Sequence, residues 1–226
     1  MTAAAATLAL LALLGSSGER FRGVARHADG RVAYVEEHEV RWDGGRPVSA
    51  ETRYLDAAGR PIARLDSDYR PALFAPDYEF VDLRSGAREW VRRGADGLEL
   101  GDGEARRLLA PPGDRPLVAG QGLDRFIRAH REALARGERL AVRLALPNRL
   151  SAYDFQVRGT PRAGGGLSVQ VEPQNLILRL LAPAILAEYD AGGRLVRYRG
   201  VSNLAGADGS VQEVEIAYAH PDAASS

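Results

Sequence analysis

The segment Val32-Ala33-Tyr34-Val35-Glu36-Glu37-His38-Glu39-Val40-Arg41-Trp42 runs directly into Asp43-Gly44-Gly45-Arg46. Val32, Tyr34, Glu36, His38, Val40 and Trp42 occupy alternate positions, so in an extended chain their side chains share one face. The aspartate and two glycines that follow supply the left-handed backbone of a tight hairpin. A long alternating run that ends in such a turn begins an antiparallel meander, and the rest of the chain repeats the phrase.

Outward from this segment, Val48–Leu55 leads through Asp56-Ala57-Ala58-Gly59-Arg60 into Ile62–Tyr69. Tyr78–Leu83 turns at Arg84-Ser85-Gly86 into Arg88–Arg93, and Gly94-Ala95-Asp96-Gly97 leads into Leu98–Leu100. Later, Leu140–Leu146, Tyr153–Val157 and Leu167–Val171 alternate in the same way. Ile185–Tyr189 meets Asp190-Ala191-Gly192-Gly193-Arg194, then Leu195–Val201, and Val211–Tyr218 is the last predicted strand. In both Asp-x-x-Gly-Arg turns the aspartate accepts local backbone N–H groups and the glycine takes the left-handed position.

One stretch breaks the alternation. Leu123, Phe126, Ile127, His130 and Leu134 recur at helical spacing, with Asp124 in the first turn and Gly137 beyond the last. This predicts one amphipathic helix over Leu123–Arg136, laid on the sheet by its apolar stripe. Its other face, with Arg125, Arg128, Arg131, Glu132 and Arg136, reads as solvated surface. Asn175–Ala182, apolar between Pro173 and Pro183, reads as a second short helix. The fold class is therefore mainly β (α+β): a curved antiparallel sheet or half-barrel with one amphipathic helix packed on it.

Composition narrows the chemistry. The chain has 226 residues, 30 basic and 30 acidic side chains, and no cysteine. Zero net charge argues against a nucleic-acid binder, whose affinity rests on clustered basic excess. Without cysteine there are no disulfides, no thiol catalysis and no cysteine-ligated metal. Every basic residue is arginine, so Schiff-base or general-base lysine chemistry is excluded.

Residues Ala3–Leu14 contain only Ala, Leu and Thr and precede Gly15-Ser16-Ser17-Gly18. Twelve apolar residues fall short of the roughly 20 that span a bilayer, and match the core of a secretory signal peptide. Small residues at −3 and −1 place cleavage after Ser17 or Gly18. The expected organisation is a signal peptide over residues 1–18 and a single antiparallel-sheet domain over 19–226. The expected location is the periplasm or outside the cell, with no transmembrane segment in the mature chain.

Glu36 and His38 form the most unusual pair, side by side on a strand face and bracketed by apolar residues. They could tune a proton-transfer site or supply part of a metal site. They could equally form a satisfied polar pair at a sheet rim, which is favoured because no third partner is evident. Gly200-Val201-Ser202-Asn203-Leu204 lacks the second glycine of a nucleophile elbow. Gly120-Gln121-Gly122 reads as a loop leading into the helix. Asp66 and Asp68 read as acidic edge-strand residues. No catalytic residue, metal or cofactor is assigned. An apolar concavity between sheet and helix would be lined by Tyr34, Glu36, His38, Trp42, Phe126, Ile127, Tyr153 and Phe155.

The export signal, the successive hairpins, the late phrase Glu188-Tyr189-Asp190-Ala191-Gly192-Gly193-Arg194-Leu195 and a helix lying on the sheet resemble the half-barrel LolA/LolB-type lipoprotein carriers and related periplasmic proteins. That resemblance implies a curved sheet whose hydrophobic groove carries an acyl chain or similar ligand. Three functions follow. The first is an exported non-enzymatic protein that binds a hydrophobic small molecule or lipid, or an envelope protein. The second is an envelope hydrolase using Glu36 and His38. The third is a structural or interaction protein without a small ligand.

Overall fold

A computed structural model of the chain describes residues 17–111, 113–175, 184–206 and 209–221. The expected signal segment lies outside these residues up to position 16, as does nearly all of the second predicted helix.

Eight strands come first: β1 (Ser17–Arg26), β2 (Val32–Asp43), β3 (Arg46–Leu55), β4 (Pro61–Asp68), β5 (Asp77–Asp82), β6 (Arg88–Gly94), β7 (Gly97–Asp102) and β8 (Ala105–Leu109). Short β9 (Leu117–Ala119) and helices α1 (Gly122–Ala129) and α2 (Arg131–Ala135) follow. The chain then forms β10 (Arg139–Leu146), β11 (Ser151–Pro161), β12 (Leu167–Pro173), β13 (Ile185–Tyr189), β14 (Leu195–Val201) and β15 (Glu213–Ala219). All fifteen described strands join one sheet, in the order β8-β7-β6-β5-β4-β3-β2-β1-β15-β14-β13-β12-β11-β10-β9. Every pairing is antiparallel except β9 with β10.

This order forces curvature. β8 and β9 are the two free edges of the sheet, yet residues 110–116 join them directly. Such a connection spans at most about 29 Å. A flat sheet of this many strands, about 4.8 Å apart, would hold its edges roughly 67 Å apart. The sheet must therefore roll up, and its two ends meet face to back without pairing. Leu117 and Ala119 lie opposite Arg143 and Ala145, on the reverse side from Val118 and Leu144. That reverse side, with Ala145, packs on Val91, Leu98 and Leu100 of β6 and β7. One end of the sheet thus overlaps the back of the other.

The hairpin turns form as the sequence predicts. Gly44 and Gly45 both have positive φ (56° and 75°) between β2 and β3. Asp56 Oδ1 accepts the N–H groups of Ala58 and Arg60, and Asp190 Oδ1 that of Arg194. β1, β8 and β9 were not predicted. β1 is rich in Arg and Gly, while β8 is exposed and β9 short, so none shows a clear alternating stripe. β4 is an inner strand, so Asp66 and Asp68 do not guard an edge. They pair instead with Arg64 and Arg70 at 2.7 Å each.

The helix needs two corrections. It is interrupted at His130, whose φ and ψ are −108° and 18°. There the His130 ring Nδ1 donates to the Phe126 carbonyl at 2.8 Å and lies 4.2 Å from the Phe126 ring, centroid to centroid. Nor is the arginine face solvated throughout: Glu132 and Arg136 are exposed, but the arginines nearer the start of the segment are not. Arg125 is only 7% exposed. Arg128 is held by Asp124 at 3.0 Å, and Arg131 donates to the carbonyls of Gly165, Asp190 and Ala191. Arg131 thus ties the helices to the turns of β11–β12 and β13–β14.

The apolar stripe does meet the sheet. Phe126, Ile127 and Leu134 are buried with Val118, Val142, Leu144, Phe155, Val157, Val169 and Val171. Leu123 packs at the margin. Gly159 of β11 permits this approach, since a Cβ there would stand 2.6 Å from the Leu134 carbonyl oxygen. Phe126→Ala should cost about 3–5 kcal/mol in a urea melt, because transfer and cavity terms add. A loss within about 0.5 kcal/mol, as for an exposed site, would mean that α1 does not close this face.

Candidate functional site

Strand alternation turns Tyr34, Glu36, His38, Val40 and Trp42 of β2 to the concave side, with Thr52 and Tyr54 of β3 and Leu65 and Ser67 of β4 beside them. The pair singled out in the sequence is assembled there. His38 Nε2 lies 2.9 Å from Glu36 Oε2, and the two side chains are 10% and 7% exposed. Tyr218 of β15 donates its hydroxyl to the same Glu36 oxygen at 2.9 Å. Phe21 stacks on His38 at 4.3 Å, nearly parallel at 7°.

The polar chain continues to residues the sequence did not flag. Thr52 Oγ1 is 2.9 Å from His38 Nδ1 and accepts from Gln121 Nε2 at 2.8 Å. Gln121 Oε1 accepts from Ser67 at 3.2 Å. If Thr52 donates to Nδ1, then Nε2–H donates to Glu36, and each of these atoms has a partner of the right sense. Gln121 immediately precedes α1, so this ladder fastens the start of the helix to β2, β3 and β4. The sequence shows Gly120-Gln121-Gly122 as a loop. Nothing in it says that strands some 70 positions upstream supply the partners of Gln121.

Thr52, His38 and Glu36 stand in the order nucleophile, base and orienting acid. Thr52, however, is fully buried, and its hydroxyl lies between His38 and Gln121. The geometry fits the satisfied polar pair that the sequence favours, extended into a ladder. Around it the tyrosine hydroxyls stay protonated. Burial first, and then the Glu36 charge, pushes Tyr34, Tyr54, Tyr198 and Tyr218 above the ordinary phenol range. Among the described residues no cluster of three or more potential ligands could hold a metal.

The eight candidate residues fall into two groups. Tyr34, Glu36 and His38 belong to the polar and aromatic side, with Tyr34 bonded to Ser202 at 2.8 Å. Phe126, Ile127 and Phe155 are buried in the cluster beneath the helix, with Tyr153 at its margin. Trp42 connects the groups, because the Arg125 guanidinium from α1 lies 5.2 Å from its ring centre and 5.4 Å from that of Tyr69. A cleft of about 290 Å³ is lined by Phe21 and His38 together with three arginines and three glutamates, so its charges offset one another.

No protein-family model and no curated protein matches the sequence. Among solved structures, the chain is similar to the crystal structure of a β-barrel-like protein of domain of unknown function DUF1849 from Brucella abortus. Identity is 8%, the TM-score is 0.50, and the match covers 92% of this chain and 99% of that one. The likeness is one of fold: a β-barrel-like sheet.

A half-buried carboxyl elsewhere on the concave side adds a pH-dependent contribution to stability. Glu89 of β6 lies opposite Phe80 and Asp102. Burial, with the Asp102 charge adding to it, pushes this carboxyl from 4.5 up to about 7. The native state therefore keeps the proton after the unfolded chain has lost it. The contribution of Glu89 to stability is therefore full below about pH 4.5 and is lost as pH rises through about 7, on the order of 3 kcal/mol. Urea melts across this range should show the decline, and Glu89→Gln should flatten it.

The ladder gives a second expectation. Gln121→Ala leaves Thr52 and Ser67 short of partners and should cost about 1–3 kcal/mol in a thermal or urea melt. Gln121→Glu should cost at least as much, since a carboxylate cannot donate to Thr52.

Proposed function

We propose that this chain is an exported, non-enzymatic envelope protein that binds a hydrophobic ligand, a lipid or acyl chain, on the concave face of its unclosed sheet. One observation carries this reading. The inner face of β10–β12 is a continuous apolar surface of Val142, Leu144, Phe155, Val157, Val169 and Val171, with two short helices interrupted at His130 laid over it. That face is filled by Phe126, Ile127 and Leu134, so a ligand enters only where the helices yield. The β-barrel-like fold and the resemblance of the sequence to LolA/LolB-type carriers support the same reading.

The filling itself favours a second reading, in which the packed body presents its outer surface to an envelope partner and carries no small ligand. Native mass spectrometry of protein purified from its own envelope separates the two. Lipid that co-purifies with the wild type and is lost or changed in Phe126→Ala supports ligand binding. Protein free of lipid in both forms supports the partner reading.

Export is part of the proposal and rests on the Ala3–Leu14 run before small residues. N-terminal sequencing of the envelope-located protein should begin at Gly18 or Glu19. An intact Met1 on cytosolic protein would overturn it.

A further inference from the structure

Arg125 is a buried charge with few polar contacts. It is 7% exposed, and its Nε and Nη1 atoms are buried without a hydrogen-bond partner. The nearest carboxylate oxygen, Asp124 Oδ2, is 3.9 Å from Nη1, beyond hydrogen-bond reach. Asp124 is engaged elsewhere, by Arg128 at 3.0 Å and by the Tyr189 hydroxyl at 3.2 Å. The Trp42 and Tyr69 rings flank the guanidinium and attract its charge, and the Tyr69 hydroxyl is hydrogen-bonded to it, which still leaves Nε and Nη1 without an acceptor. A buried guanidinium with donors to spare carries a desolvation cost that these contacts do not offset. Hydrogen-bonded oxyanions are what such donors fit best.

From this geometry we infer that Arg125, between Trp42 and Tyr69, is the receptor for the oxyanion head of the ligand. The inference rests on the hydrophobic-ligand reading above and narrows it to acyl chains bearing a carboxylate or phosphate head. Neutral lipids lack the charge that would satisfy the guanidinium. Arg125 lies on α1 next to Phe126 and Ile127, so a head held there is anchored to the same helix that covers the apolar face. An arginine retained only to fasten the helix would behave differently, because removing it would destabilise the protein whatever the ligand.

The test uses the intact protein and three probes with the same chain: oleate, oleoyl lysophosphatidate and monoolein. Each is titrated into the wild type and into Arg125→Met, which keeps the apolar stem, with thermal melts of both unliganded proteins. The wild type should prefer the two anionic probes. Arg125→Met should lose roughly tenfold to a hundredfold in affinity for them, the worth of a charge-assisted hydrogen bond. It should bind monoolein as before and melt no lower than the wild type, because an uncompensated charge has been removed. Oleate and lysophosphatidate tested side by side distinguish a carboxylate from a phosphate head. Equal binding of all three probes by both proteins, or a lower melting temperature with no change in anion preference, overturns the assignment of Arg125 and leaves the hydrophobic-ligand reading standing. Failure of the wild type to bind any probe overturns both.

Discussion

The short connection between β8 and β9 is the constraint on which the rest of the structure depends. It ties together the two edges of the described sheet, which extended geometry would hold more than twice as far apart as the connection can reach. Curvature, a concave face and the overlap of β6–β7 on the back of β9–β10 all follow from that tie. The overlap explains Ala119 and Ala145, which lie where two layers of the same sheet meet and are almost completely buried. It also buries the β9 edge, which otherwise would offer an open template for pairing.

A sheet rolled in this way encloses more apolar surface than its own side chains cover, and the α1–α2 segment occupies the remainder. Its attachment is of two kinds. Phe126, Ile127 and Leu134 bind the β9–β12 wall through apolar contact. Gln121 and Arg125 reach the opposite wall, through the Thr52–Ser67 ladder and through Trp42 and Tyr69. The first is nondirectional and tolerates adjustment. The second is directional, and in Arg125 it is incomplete. An element held firmly on one side and imperfectly on the other suits a cover that yields to a ligand better than a permanent core helix.

The Glu36–His38 pair illustrates how a suggestive motif is absorbed by its surroundings. Two titratable groups side by side invite a catalytic reading. The fold instead gives Glu36 a tyrosine donor from β15 and His38 a threonine from β3, and seals that threonine with Gln121. The first two contacts come from strands in the same wall and the third from the loop before α1, and each fills a hydrogen-bonding position that a substrate would need.

The sequence by itself determined the local structure. Alternation fixed most strands, because side chains on a pleated chain change face at every residue. Asp-x-x-Gly-Arg fixed turns at Asp56 and Asp190 through contacts within five residues of each other. Helical spacing located Phe126, Ile127 and Leu134 on one stripe, and the side-by-side placement of Glu36 and His38 followed from their spacing on one strand. The tertiary structure alone decided what lies across the barrel: the pairing of β1 with β15, the parallel pairing of β9, the burial of Arg125 and the partners of Gln121. Those contacts join residues tens to more than a hundred positions apart. No local periodicity encodes them, because they exist only once the edge-to-edge connection has rolled the sheet and brought its opposite walls within reach of a single helix.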